Sequence, residues 1–149
     1  MAGLIHPIHI ILADDDPDDV LLFREALEEI HLPLLLTIVS DGEQLITLLK
    51  ELQPLPDILF LDLNMPKKNG FDCLSAIKQM ATLHRLPVVI FSTSHEITMI
   101  NQLYLKGAHF YIQKPTDFTI LRNVIQQAIT LATNKNNKQP PRDKFELLF

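Results

Sequence analysis

Five times along the chain a short apolar run is followed by a stretch whose apolar residues recur at helical spacing. Few folds accept that pattern. The runs are Ile8–Ala13, Leu34–Val39, Asp57–Leu61, Val88–Phe91 and His109–Ile112. They lack polar alternation, as strands do when both faces are buried in a parallel sheet. Between and after them, Val20, Leu21, Phe23, Leu27 and Ile30 mark the apolar face of a first helix, and Leu45, Ile46, Leu48, Leu49 and Leu52 that of a second. Phe71, Leu74, Ile77 and Met80 mark a third, and Ile97, Ile100, Leu103, Tyr104 and Leu105 a fourth. The last runs from about Asp117 to Thr133, with Phe118, Leu121, Val124, Ile125, Ile129 and Leu131. Strict strand–helix alternation implies an α/β fold, a doubly wound parallel sheet with helices on both faces. Its crossovers are expected to be right-handed.

The strongest of these runs ends in a carboxylate. Asp57-Ile58-Leu59-Phe60-Leu61 leads into Asp62, and Pro66 turns the chain away. Open parallel sheets place their ligands at the carboxyl ends of their strands. Asp62 is therefore a charge delivered to such an edge, although taken alone it could simply cap the following loop. The other strand ends carry polar groups too: Asp14 and Asp15 after the first run, Ser92 after the fourth, Lys114 after the fifth. Asp16 suits a helix N-cap, Pro17 the first helical position, and Asp18 and Asp19 read as helix-start acids.

Carboxylates gathered in one pocket raise one another's pKa unless a cation sits among them. Hard oxygen ligands suit Mg2+, which takes few protein ligands and keeps waters. Lys114 offers a compact second positive charge. A carboxylate between a divalent cation and an ammonium is a nucleophile toward a phosphoryl group, whose equatorial oxygens both cations would stabilise. Ser92 could donate a hydrogen bond to such a group.

The 149 residues fit one domain. The single cysteine, Cys73, forms no internal disulfide and reads as a small buried hydrophobe on a helix. No apolar run reaches ~18 residues, so no membrane span is expected. The N-terminal stretch is a poor signal peptide, and a cytoplasmic protein is the default. A net charge of −5 argues against a large nucleic-acid footprint. The six histidines show no metal-ligand spacing, and His6 and His9 read as strand-edge or surface residues. From Asn134 the chain turns polar, with Pro140 and Pro141 adjacent, and it closes on Phe145-Glu146-Leu147-Leu148-Phe149. The expected division is a domain over 1–133 and a tail over 134–149, too short to form an output domain. The tail reads as a frayed segment packing loosely on its own domain, or as a short docking or dimer-stabilising segment.

Four segments together resemble the receiver domain of two-component response regulators. They are Leu12-Ala13-Asp14-Asp15-Asp16, Leu61-Asp62-Leu63-Asn64-Met65-Pro66 with Gly70, Phe91-Ser92-Thr93, and Gly107-Ala108-His109-Phe110-Tyr111-Ile112-Gln113-Lys114-Pro115. The resemblance spans about residues 8 to 133. It implies a flavodoxin-like sheet of five parallel strands in the order 2-1-3-4-5. It implies Asp62 as phosphoacceptor, and Mg2+ held by Asp14, Asp15, Asp62 and the backbone carbonyl of Asn64. Ser92 and Tyr111 would be switch residues, and Lys114 would contact the phosphoryl group. It further implies a cis Lys114–Pro115 bond. Ser92 stands where threonine is commoner and Thr93 where alanine is frequent. The acid-rich motifs are similar to those of stand-alone regulators paired with phytochromes and hybrid kinases. Such regulators often pair through the face formed by the fourth helix, fifth strand and fifth helix. Lys67 and Lys68 read as a solvated loop or as a contact with the kinase.

The implied function is acceptance of a phosphoryl group from a histidine kinase, with output through a protein surface, and no turnover as an enzyme. One rival is a Mg2+-dependent phosphohydrolase with an aspartate nucleophile. Such enzymes want an acid two residues on, where this chain has Asn64. The other is a binding module that only looks like a receiver, against which the full set of acids, Ser92 and Lys114 argues.

Overall fold

The computed structural model describes residues 6–134 and 138–147. The N-terminal start read above, and the last two apolar residues of the tail, lie outside them. The elements alternate as expected: β1 (Ile8–Ala13), α1 (Pro17–Glu28), β2 (Leu34–Val39), α2 (Gly42–Glu51), β3 (Ile58–Leu61), α3 (Gly70–Gln79), β4 (Val88–Ser92), α4 (Ile97–Leu105), β5 (Phe110–Gln113) and α5 (Phe118–Ala132). A short 3-10 turn, Arg142–Lys144, follows.

The strands form one parallel sheet in the order β2-β1-β3-β4-β5. Successive strand residues point to opposite faces, and here helices cover both. Ile11, Leu59, Leu61, Val88, Ile90 and Tyr111 pack against α2, α3 and α4. Ile10, Leu12, Ile58, Phe60, Val89, Phe91 and Ile112 pack against α1 and α5. Phe23 of α1 meets Phe60 and Phe91 edge-on, at ring separations of 4.9 and 5.8 Å. Burial on both sides is the physical reason the inner runs carry no polar alternation; β2 at the sheet edge is only partly buried, with Leu35 exposed.

Local chemistry sets most helix starts. The side chains of Asp16, Asp41, Asn69 and Asp117 accept backbone N–H bonds from the first turns of α1, α2, α3 and α5, the ordinary N-cap arrangement. The N-cap of α4, Glu96, makes no such bond.

Several expectations need correction. Leu21, Leu105 and Leu131 are exposed rather than on apolar faces. Each lies two positions, roughly 200° of helical turn, from a buried partner: Phe23, Leu103 and Ile129. Asp57 lies just before β3, where its carboxylate accepts the His9 N–H at 2.8 Å. The cis peptide bond falls at Gln53–Pro54, and Lys114–Pro115 is not cis. The tail does not lie loosely on the domain. Phe145 is fully buried and Leu147 nearly so.

Candidate functional site

The edge at which Asp62 stands is held by hydrogen bonds that continue the sheet past the strand ends. The Asp62 N–H donates to Ala13 O at 2.9 Å, the Asp14 N–H to Val39 O at 3.0 Å, and the Lys114 N–H to Ser92 O at 2.8 Å. Side chains on β1, β3, β4 and β5 are thereby brought to one rim. Gly70 closes the floor. A Cβ there would lie 2.5 Å from Asp62 O and 2.8 Å from Leu63 Cα, so only glycine lets α3 approach so closely.

Asp14 is 1% exposed and Asp62 7% exposed, whereas Asp15 faces solvent. One carboxylate oxygen from each lies within 4.8 Å of the others. Burial pushes the Asp62 carboxyl up to about 6, with the neighbouring Asp14 charge adding to the rise. The Lys114 ammonium and the backbone N–H groups of Asn64 and Leu63 pull the other way. Asn64 itself is exposed.

Lys114 Nζ donates to Asp14 at 2.9 Å and to Asp19 at 2.8 Å, and it stands 3.8 Å from Asp62. Burial alone would lower its pKa, but the bonds to Asp19 and Asp14 and the charges of Asp14 and Asp62 more than reverse that, so it is raised. Its Nζ also lies over the Phe91 ring, 5.4 Å from the ring centre. Asp19 is the site residue that reading the sequence missed. By position it reads as a helix-start acid, while its pairing joins residues 95 positions apart. No local pattern carries such a pairing.

Ser92 is fully buried, and its Oγ accepts the Ser94 N–H at 3.2 Å. Tyr111 is 1% exposed with its ring in the core, and its hydroxyl donates to Ser94 O. Burial raises the Tyr111 pKa, and a hydrogen bond with Ser92 partly offsets this. Elsewhere, Cys73 is buried in α3 and its thiol is pushed up to about 11, mainly by burial, so it is a packed hydrophobe and not a thiolate.

The donor set fits a divalent cation. Three carboxylates converge, all hard oxygens, and one of them faces solvent, leaving room for the waters that Mg2+ retains. A group carried on Asp62 would lie within reach of the Lys114 ammonium, which stands 3.8 Å from that carboxylate.

Known proteins with this fold are numerous. Residues 10–126 match the family described as "Response regulator receiver domain". The response regulator Rcp1 of Synechocystis sp. is 33% identical over 125 residues, covering 80% of this chain and 85% of Rcp1. The solved phosphorylated cyanobacterial phytochrome response regulator RcpA is 32% identical, with a TM-score of 0.75 over 85% of this chain and 92% of that one. The Mn(2+)-bound form of Rcp1 superposes with a TM-score of 0.77 at 30% identity, over 87% of this chain and 96% of that one. Sheet order, acidic rim and family match agree: the chain belongs to the response regulator receiver family.

Proposed function

We propose that this chain accepts a phosphoryl group from the phosphohistidine of a histidine kinase onto Asp62 and thereby switches a protein-interaction surface. The observation that carries this reading is Asp62 itself, buried at the end of β3, with Asp14 and Asp15 oxygens within 4.8 Å and Lys114 at 3.8 Å. In the step, an Asp62 carboxylate oxygen forms the new P–O bond as the P–N bond to the donor imidazole breaks, and that nitrogen keeps the electron pair. Mg2+, bound by Asp14, Asp15, Asp62 and the Asn64 carbonyl, would supply charge neutralisation at the phosphoryl oxygens. Lys114 holds a positive charge 3.8 Å from Asp62, and its raised pKa keeps it protonated at neutral pH. The acceptor side chain must be ionised to attack, and at neutral pH a group at about 6 is mostly so. Water attack on the acyl phosphate would return Asp62, so the chain acts as a self-resetting acceptor and not as a turnover enzyme.

Ser92 and Tyr111 form the switch. A phosphoryl oxygen accepting a hydrogen bond from Ser92 Oγ would draw that side chain toward Asp62 and favour an inward Tyr111 ring. The added charge of about −1.5 to −2 then biases a two-state surface. The likeness to Rcp1 and RcpA supports a phytochrome-type or hybrid kinase as donor. Pairing of two copies through the α4, β5 and α5 face would have to use the parts of α4 and α5 left exposed at Ile97, Leu105 and Leu131, because the chain's own tail takes the β5 edge. The domain is taken to span 1–133, the tail to be 134–149, and the setting to be cytoplasmic. Among the described residues no helix is long and apolar enough to cross a membrane.

Intact mass after incubation with acetyl phosphate and Mg2+ tests the reading. The natural chain should gain the mass of one phosphoryl group, while Asp62→Asn and the metal-free sample should not. No adduct, together with no beryllofluoride complex, would sink it.

A further inference from the structure

β5 is an edge strand, and a sheet edge offers unpaired N–H and C=O groups to any extended segment. Here the chain's own tail takes them. The Tyr111 N–H donates to Phe145 O at 2.9 Å, and the Leu147 N–H donates to Tyr111 O at 2.9 Å. Glu146 pairs with Tyr111 as a parallel bridge. The arrangement is strand addition, in which main-chain bonds hold the segment and alternate side chains fill pockets. Phe145 enters the core layer beneath α4, its ring 5.1 Å from Tyr104 and 6.4 Å from Tyr111. Leu147 enters the opposite layer.

Polar anchors surround this insertion. Gln139 donates to the carbonyls of Tyr104 and Ala108, both at 2.7 Å. The Tyr104 hydroxyl donates to Pro140 O at 2.8 Å. Arg142 reaches Asn101 at 2.8 Å, and Glu146 meets His95 at 2.8 Å.

We propose that the segment 138–147 is a built-in ligand of the chain's own β5 edge whose docking is linked to the occupancy of Asp62 through Tyr111. The linkage rests on the phosphoacceptor reading above. Tyr111 is gripped from both sides. The tail holds its N–H, its C=O and its ring. From the other side its hydroxyl bonds to Ser94 O, the Ser94 N–H bonds to Ser92 Oγ, and Ser92 O accepts the Lys114 N–H. A docked tail packs Phe145 against the inward ring and so favours it. A group on Asp62 that draws Ser92 favours the same ring position. Two ligands that prefer one state strengthen each other, and the effect is reciprocal.

Hydrogen exchange on the full chain reads this directly, because the Tyr111 and Leu147 amides donate across the junction. With Mg2+ and beryllofluoride, Leu147 protection should rise at least ~5-fold over Mg2+ alone, the lower end of common coupling factors. Phe145→Ala should lose that protection and bind beryllofluoride more weakly by the same factor, while β1 amides stay protected and report an intact fold. Unchanged Leu147 protection in the natural chain with beryllofluoride bound would overturn the linkage, whatever the variant does. Protection that falls on dilution would mean that the tail comes from a second copy and would overturn docking within the chain. Failure of the natural chain to bind beryllofluoride would remove the phosphoacceptor reading and the linkage with it, and Leu147 protection in Mg2+ alone would then decide the docking by itself.

Discussion

Asp62 is a buried carboxylate, and its pH behaviour follows from that burial. Its carboxyl titrates at about 6 in the folded chain against 3.8 for a free side chain. Between those values the folded state holds a proton that the unfolded state has released. Stability of the metal-free chain should therefore fall as pH rises through this window, and the contribution should be flat above it. Asp62→Asn removes the effect. After discounting for partial solvent screening, the variant should be more stable than the natural chain at pH 7 by about 1–2 kcal/mol without metal. Urea melts at several pH values would check this, and equal stability at pH 7 would contradict it. Asp19→Asn tests the contact that no sequence pattern announced. Lys114 would lose one of two charged hydrogen bonds, and about 1 kcal/mol of stability should go with it. The same melts report that loss.

At the scale of elements, the rim depends on how closely α3 approaches β3. Gly70→Ala would place a methyl against Asp62 O and Leu63 Cα. Both are main-chain atoms that cannot swing aside, so the expected loss is about 1–3 kcal/mol. A weaker Mg2+ affinity should accompany it, because the shift displaces Asp62, and metal titration followed by calorimetry would show it. The helices themselves were largely legible. Asp16-Pro17 announces a helix start, and the Asp16 side chain bonds as its chemistry suggests, whereas the capping roles of Asp41 and Asn69 show only in the structure. Helix faces were less legible. A leucine two places from a buried residue looks apolar in a list yet points the other way, as Leu21, Leu105 and Leu131 do. The uncapped start of α4 lies next to the β4–α4 segment that carries Ser92 and Ser94, where a firmly anchored helix would oppose movement.

For the whole molecule, the acidic rim couples metal to stability. Repulsion among Asp14, Asp15 and Asp62 is present in the folded chain and absent when the chain unfolds, so a cation that relieves it binds the folded state alone. At a hundredfold excess over its dissociation constant, Mg2+ should add about 2.7 kcal/mol, roughly 5–10 °C in Tm for a chain of this size. Differential scanning fluorimetry with Mg2+ and with a chelator would measure the shift. Asp62→Asn should reduce it.

The sequence by itself determined the α/β architecture, the strand and helix positions to within a residue or two, and the residues that reach the sheet's edge. Those properties follow from periodicity, caps and turn residues, all of which act over a few neighbours. Four motifs at strand ends then pointed to the family. Only the tertiary structure decided what joins distant positions: the Asp19–Lys114 pair, the close approach at Gly70, and the docking of Phe145 and Leu147 on β5. The tail shows why. Its segment is polar and proline-rich, with too few apolar residues to form an element alone, and it gains a place only because β5 leaves an unpaired edge and a pocket beside Tyr104 and Tyr111. That vacancy belongs to the assembled sheet, and no stretch of the chain contains it.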